Sequence, residues 1–168
     1  MVIDAKKRVI MPGFINVHHH LYSTFARGMS LPGAPAENFV EILEKLWWKL
    51  DDTLNEEDIY YSALIPLMEC IRNGVTTIVD HHESQGVQTG SLDLLRRASE
   101  QIGIRAALCI GTSDRYGKGL EGLRENERFL EDLKKKPSRL VGGMVGLHAP
   151  FTVNDDTLEA AVAQAEKF

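Results

Sequence analysis

The feature that most constrains the fold is a fourfold alternation of short apolar runs with helical segments. The apolar runs are rich in valine, isoleucine and leucine, as is typical of strands buried in a parallel sheet. We predict strands at Phe14–Val17, Val75–Asp80, Arg105–Ile110 and Leu140–Leu147, each buried. Parallel strands joined by helices form right-handed crossovers. The chain is therefore expected to be an α/β protein.

The helices are predicted from apolar periodicity and from residues at their ends. Asn55 precedes three acidic residues, which is typical of a helix start, and Gly74 follows the end of the same helix. Pro66 lies inside this helix and is expected to kink it. The predicted helices span Phe39–Leu50, Asn55–Asn73, Ser91–Gln101 and Leu120–Lys135, and a last helix begins after Asn154.

Two architectures share this order of elements, an open doubly wound sheet and a (β/α) barrel. No GxGxxG loop follows the first strand, which removes the main support for a dinucleotide-binding fold. A complete barrel has about 250 residues, whereas this chain has 168. We therefore predict a fold of the (β/α) TIM-barrel type, with about half a barrel, or four β/α units, in this chain.

The composition excludes several classes of partner. A net charge of −5 argues against binding to nucleic acid. The two cysteines, Cys70 and Cys109, have no CxxC spacing, so a disulfide framework is not expected. No apolar stretch has the length of a membrane span or of a signal peptide. We expect a cytoplasmic protein that binds neither nucleic acid nor membranes.

The histidines concentrate at the ends of the predicted strands. All six lie at three of these ends: His18, His19, His20, His81, His82 and His148. His18 and His20 are two residues apart and share a face of the strand, so both rings can converge on one ion while His19 points away. Imidazole suits zinc and also iron. Packed or solvent-facing histidines are the alternative.

The second strand end has a less certain chemistry. By alternation, His82 shares a face with Asp80, whose carboxylate could orient the imidazole for contact with substrate. Alternatively, Asp80 caps the following loop, and His81 and His82 are surface residues. We expect Glu83 to be a solvated loop residue.

Two further residues are candidates for contact with a ligand. His148 stands between a strand end and a helix start, where it could contact an anionic or carbonyl group. The alternative is that His148 only anchors the loop. Arg27 could bind a substrate anion, although single loop arginines are more often surface charges.

Several motifs together resemble one family, the amidohydrolase superfamily. The segment PGFINVHHH ends at His20, Asn73–Thr77 (NGVTT) precedes the second strand, and His148–Thr152 (HAPFT) follows the fourth. They are similar to the branch that contains metal-dependent aminohydrolases, chlorohydrolases and deaminases. With Asp80–His82 (DHH) and NFVEILEKLWWKLD at residues 38–51, the chain most resembles the aminohydrolases associated with selenium metabolism.

The resemblance implies a metal-dependent hydrolase that breaks a C–N bond of a cyclic or heteroaromatic small molecule by a metal-activated water. His18 and His20 match its metal ligands, and zinc is the expected metal, with iron as the alternative. His148 matches a residue that contacts substrate. Its catalytic residues would lie on later strands, so no catalytic residue is assigned within this chain.

The resemblance also suggests that much of such an enzyme is missing. Residues 1–9 would be a remnant of the edge of an N-terminal β-sandwich, and residues 10–168 the first half of the barrel. We expect a fragment of a longer enzyme or a truncated reading frame. The alternative function is an inactive fragment that binds metal weakly or has a structural role. Because half a barrel exposes unpaired sheet edges, we expect a homo-oligomer.

Overall fold

The computed structural model describes residues 4–30 and 33–168. Its strands are β1 (Phe14–His19), β2 (Val75–His82), β3 (Arg105–Thr112), β4 (Val141–Gly143) and β5 (Gly146–Leu147). Its α-helices are α1 (Phe39–Ile42), α2 (Trp48–Thr53), α3 (Glu56–Arg72), α4 (Ser91–Ile102), α5 (Gly119–Lys135) and α6 (Asp155–Lys167). Residues Leu43–Trp47 form a π-helical segment that joins α1 to α2.

The strands lie in the order β1-β2-β3-β4, and every pairing is parallel. Strand order in a doubly wound sheet reverses at a switch point, whereas here β1 to β4 pair in chain order, and β5 continues along β3 beyond β4. This sequential order is the one that a (β/α) barrel requires. The predicted α/β class is therefore confirmed. Helices α3, α4, α5 and α6 follow β1, β2, β3 and β5 along the chain.

The two faces of the sheet have different surroundings. Ile78, Leu108 and Ile110 lie on the helix side and belong to the buried core, together with the fully buried Phe129 of α5. The opposite face of β2, which includes Val79, lines an open concave surface. This concave surface corresponds to the interior of a barrel.

The first strand is not buried, contrary to prediction. Ile15 and Val17 are 63% and 72% exposed. Within the described residues, β1 pairs only with β2 and forms an edge of the sheet. An apolar run is therefore not evidence of burial by itself, because burial depends on a neighbour that covers the strand.

The fourth predicted strand is divided into two short strands. β4 pairs with Ala106–Leu108 and β5 pairs with Gly111 and Thr112. Between these pairings, Asn126 of α5 takes the place of a strand neighbour. Its Oδ1 accepts a hydrogen bond from the Ile110 N–H at 2.9 Å, and its Nδ2 donates to the Ile110 carbonyl at 2.9 Å.

Asn126→Leu is expected to destabilise the protein because it leaves the buried N–H of Ile110 without a partner and removes one hydrogen bond to the Ile110 carbonyl. An unpaired buried group costs about 1–3 kcal/mol. Urea unfolding followed by circular dichroism measures the loss. An unchanged midpoint would show that Asn126 does not compensate for the divided strand.

The predicted sandwich remnant lies in a part of the chain with little regular structure. Residues 4–9 form a turn and no strand, and residues 1–3 lie outside the described residues. The sandwich remnant at residues 1–9 thus stays a prediction.

No helix in the described part of the chain is long and apolar enough to cross a membrane.

Candidate metal and substrate site

A cavity of about 680 Å³ opens at the carboxyl ends of the strands. Five histidines from three strand ends line it: His18, His19, His20, His81 and His148. Trp47 and Phe39, from the helical segment after β1, cover one side. Carboxyl ends of parallel strands are where α/β proteins build their active sites, so this cavity is the candidate site.

The structure brings His18 and His20 together as predicted. Their Nε2 atoms lie 3.1 Å apart. Two nitrogens bound to one zinc at about 2.0–2.1 Å, with near-tetrahedral angles, are separated by roughly 3.1–3.4 Å. The ring of His19 lies instead beside Asp80, with 3.7 Å between Nδ1 and Oδ1. The pair therefore fits two corners of a tetrahedral metal site.

A backbone carbonyl determines which nitrogen of His20 is free. The Nδ1 of His20 lies 2.9 Å from the His81 carbonyl oxygen. Because a carbonyl only accepts, Nδ1 carries the proton and Nε2 presents its lone pair towards His18. Burial lowers the pKa of His20, which favours the neutral ring that metals bind.

The pair has no third protein ligand in residues 4–30 and 33–168, where no group of three or more His, Cys, Asp or Glu side chains is arranged to hold a metal ion. A catalytic zinc usually takes three protein ligands and one water. His18 and His20 alone would therefore leave such a site incomplete.

Asp80 supports the segment that follows the histidine pair. It is completely buried, and its Oδ1 accepts a hydrogen bond of 2.7 Å from the backbone N–H of Leu21. Leu21 comes directly after His20. The carboxylate thus anchors the chain beside a candidate ligand, and it does so without a hydrogen bond to His82.

The prediction that His82 contacts substrate is not supported by its position. His82 is fully buried, its Nε2 lies 2.8 Å from the Ser84 Oγ, and burial lowers the pKa of its ring to about 4. Alternation puts His82 on the helix side of β2 with Ile78, whereas His81 faces the cavity. Sequence reasoning missed His81 because Ile78 and Val79 are both apolar, so pattern alone did not distinguish the two faces.

His148 lines the cavity, so the predicted ligand contact stays a prediction, and it also anchors its loop. Its Nδ1 lies 2.7 Å from the Thr152 Oγ1. Burial, followed by the nearby Arg115 charge, lowers its pKa to about 4, so the ring is neutral at pH 7. Arg27 is not brought to this cluster, because its exposed guanidinium lies 3.4 Å from Glu69 outside the cavity.

Glu83 is buried, contrary to the expectation of a solvated loop residue. It is 1% exposed, and its Oε2 lies 3.1 Å from Nη2 of Arg115. The same Nη2 lies 3.0 Å from Oδ2 of Asp51. Two buried carboxyl groups thus share one guanidinium, which stacks on Trp48 at 4.9 Å. Burial raises the pKa of Glu83 to about 8 and that of Asp51 to about 6.

Glu83→Gln is expected to make stability less dependent on pH. The pKa of Glu83 is raised to about 8 in the folded protein, so ionisation of this group opposes folding. Its contribution to stability is complete below the unfolded pKa of about 4.3 and is lost as the pH rises towards the folded value. Between pH 5 and pH 8, the parent should lose more stability than the variant in urea unfolding. Equal losses would contradict this assignment.

Comparison with known proteins places these features in context. A family model described as the amidohydrolase family matches residues 9–168. A 5'-deoxyadenosine deaminase of Methanosarcina mazei is 34% identical over 168 residues, which cover 99% of this chain and 36% of that protein. A 5-methylthioadenosine/S-adenosylhomocysteine deaminase of Thermococcus sibiricus is 34% identical over 160 residues, with 94% and 35% covered. The chain thus spans about a third of the length of these relatives.

Solved structures of similar fold extend the comparison. Guanine deaminase of E. coli superposes with a TM-score of 0.71 at 19% identity, covering 94% of this chain and 36% of that one. Atrazine chlorohydrolase of Arthrobacter aurescens, in complex with zinc, gives 0.66 at 22% identity, covering 93% and 38%. These similarities confirm the predicted barrel-type fold, of which this chain forms a part.

Proposed function

Because the chain belongs to the amidohydrolase family, we propose that it forms the metal-binding strand end of a metal-dependent aminohydrolase. The substrate would be a heteroaromatic small molecule whose ring carbon carries a nitrogen leaving group. The proposal is supported by deaminases among the relatives, which are named for adenosine derivatives. The proposal assigns the deamination that those names describe to the whole protein, of which this chain is a part.

One observation carries the proposal, the convergence of His18 and His20 with their Nε2 atoms 3.1 Å apart. We propose zinc as the metal, with iron as the alternative, since imidazole binds both. A bound divalent metal would lower the pKa of a water molecule and so supply a nucleophile at neutral pH. The His81 carbonyl holds His20 in the tautomer that this role needs.

The remaining groups of the cavity are proposed to bind and orient the substrate. His148 is neutral and faces the cavity, so its free ring nitrogen can exchange a hydrogen bond with a heterocycle. Trp47 and Phe39 provide an apolar wall against which a flat ring can pack. Asp80 fixes the loop after the ligands.

Ammonia release tests the proposal directly. The zinc-loaded protein is incubated with 5'-deoxyadenosine and with guanine, and the released ammonia is measured. We expect turnover of at least one compound, its loss in His18→Ala and its retention in His19→Gln, since His19 lies beside Asp80. Turnover that persists in His18→Ala would overturn the proposed role of the pair.

The second candidate function is metal binding without turnover. It is favoured by the absence of a third ligand in the part of the chain that the structure describes. Zinc bound through His18 and His20, with no product from any compound, would support this alternative. The protein would then contribute half of a site that other residues complete.

We also propose that the exposed edge of β1 is covered in the functional protein. Ile15 and Val17 are largely exposed there, and an exposed apolar edge strand tends to pair with a strand of another chain. A second copy of the chain is one partner that would cover the edge. Sedimentation velocity would reveal self-association, and a strictly monomeric protein would argue against the second copy.

A further inference from the structure

His81 connects the two parts of the candidate site. Its ring lies between those of His20 and His148, with centroids 5.6 and 6.4 Å away. Its backbone carbonyl accepts the hydrogen bond from the Nδ1 of His20. Its own Nε2 lies 2.8 Å from the Leu147 carbonyl oxygen, and Leu147 directly precedes His148. One residue therefore contacts both chain segments that carry candidate site residues.

The ring of His81 reaches Leu147 by crossing β3 at Gly111. A Cβ atom on Gly111 would lie 2.2 Å from Cε1 of His81 and 2.0 Å from Oε1 of Glu83. No side chain fits there, so the glycine leaves the path from β2 to β5 open. β5 itself pairs with β3 through only Gly111 and Thr112. The His81 hydrogen bond is thus a second attachment of this short strand.

The hydrogen bond to Leu147 also limits what His81 can do. Because a carbonyl only accepts, the Nε2 of His81 is the donor and has no free lone pair for a metal. Its Nδ1 faces Oε1 of Glu83 at 3.9 Å, beyond hydrogen-bond distance, and Arg115 holds that carboxyl group in place. Both nitrogens of the ring therefore face protein groups and not the centre of the cavity.

We propose that the His81 side chain is a positioning residue that sets the distance between the His18–His20 pair and His148. The inference rests on the proposed metal site, and it goes beyond it by assigning a role to a residue that is not a ligand. Loss of the His81 ring leaves β5 attached through its pairing with β3 and removes the side chain that lies between the rings of His20 and His148. Both candidate segments should then move, although neither is altered in sequence.

Five variants separate this role from a general loss of packing. His81→Leu has no hydrogen-bond donor, and the side chain of His81→Asn is too short to contact the Leu147 carbonyl. The longer amide of His81→Gln can still donate to that carbonyl. Gly111→Ala places a methyl group against the ring and against Oε1 of Glu83, so it is compared with the His81 variants and not read alone. Gly142→Ala is the matched control, because nothing lies within 4 Å of a Cβ at that glycine. Circular dichroism shows which variants are folded.

The first measurement uses the metal-free protein and the ring resonances of His20 and His148 in NMR spectra. We expect both sets to shift in His81→Leu, His81→Asn and Gly111→Ala, and to stay near their parent positions in His81→Gln and Gly142→Ala. Unchanged resonances of either histidine in the folded loss variants would overturn the inference. So would a Gln variant that behaves like the Leu variant.

The second measurement is zinc affinity by calorimetry. Loss of a group that orients a metal ligand costs about 10–100-fold in affinity, and we expect a loss of this size in His81→Leu and recovery in His81→Gln. Equal affinity in His81→Leu and the parent would overturn the inference. If the parent binds no zinc, the proposed function fails, while the NMR comparison still decides whether His81 positions the two segments.

Discussion

Arg115→Ala is expected to destabilise the protein by about 3–5 kcal/mol, because it leaves buried carboxyl groups without their counter-charge. The Arg115 side chain is 8% exposed, and those of Asp51 and Glu83 are 1% and 2% exposed. Arg115 also joins three separate elements, since Asp51 lies on α2, Glu83 follows β2 and Arg115 follows β3. Its removal therefore weakens the junction of these elements as well as the ion pairs.

Urea unfolding at pH 5 and pH 8 measures this effect. The loss should be larger at pH 8, because the carboxyl groups, whose pKa values are raised to about 6 and about 8, are more ionised there. A triple variant, Asp51→Asn with Glu83→Gln and Arg115→Met, serves as the control and should recover much of the stability. A loss below about 1 kcal/mol in Arg115→Ala, which is the size expected of an exposed ion pair, would show that the cluster contributes little.

His20→Ala is expected to lower zinc affinity by more than about 100-fold, since even the loss of an outer contact to a ligand costs 10–100-fold. The described residues provide no third ligand to replace it. His18→Ala should have a similar effect, because the two Nε2 atoms face the same point. Removal of zinc by a chelator should in turn leave the fold intact, since the core on the helix side does not involve the pair.

Calorimetric titration at pH 7.5 measures this prediction. His19→Gln is the matched control, as its ring lies beside Asp80 and not beside the pair. It should bind zinc like the parent. If His19→Gln loses as much affinity as His20→Ala, the metal is bound by the histidine tract in general and the assigned geometry is wrong.

The sequence predicted the elements well where local chemistry determines them. Asn55 caps α3 through a reciprocal pair of hydrogen bonds with Asp58, and Gly74 follows that helix with a φ of 79°. The spacing of His18 and His20 predicted their shared face, because side chains alternate along a strand. These features depend on residues close in sequence, so the pattern contains the necessary information.

The misplaced residues depend on partners distant in sequence. Glu83 is buried because Arg115, 32 residues later, neutralises it in part. The fourth strand divides because Asn126 takes up the backbone groups of Ile110, 16 residues earlier. His81 lines the cavity and His82 is buried, the reverse of the expectation, because the packing of helices on β2, and not its own apolar pattern, determines which face is covered. Such contacts follow from tertiary packing.

The most direct test of the central claim is a crystal structure of the zinc-soaked protein with data collected at the zinc absorption edge. We predict one anomalous peak at about 2.0–2.1 Å from the Nε2 atoms of both His18 and His20, with the His20 Nδ1 still bonded to the His81 carbonyl. A zinc ion bound by other residues, or no peak beside this pair at saturating zinc, would contradict the account.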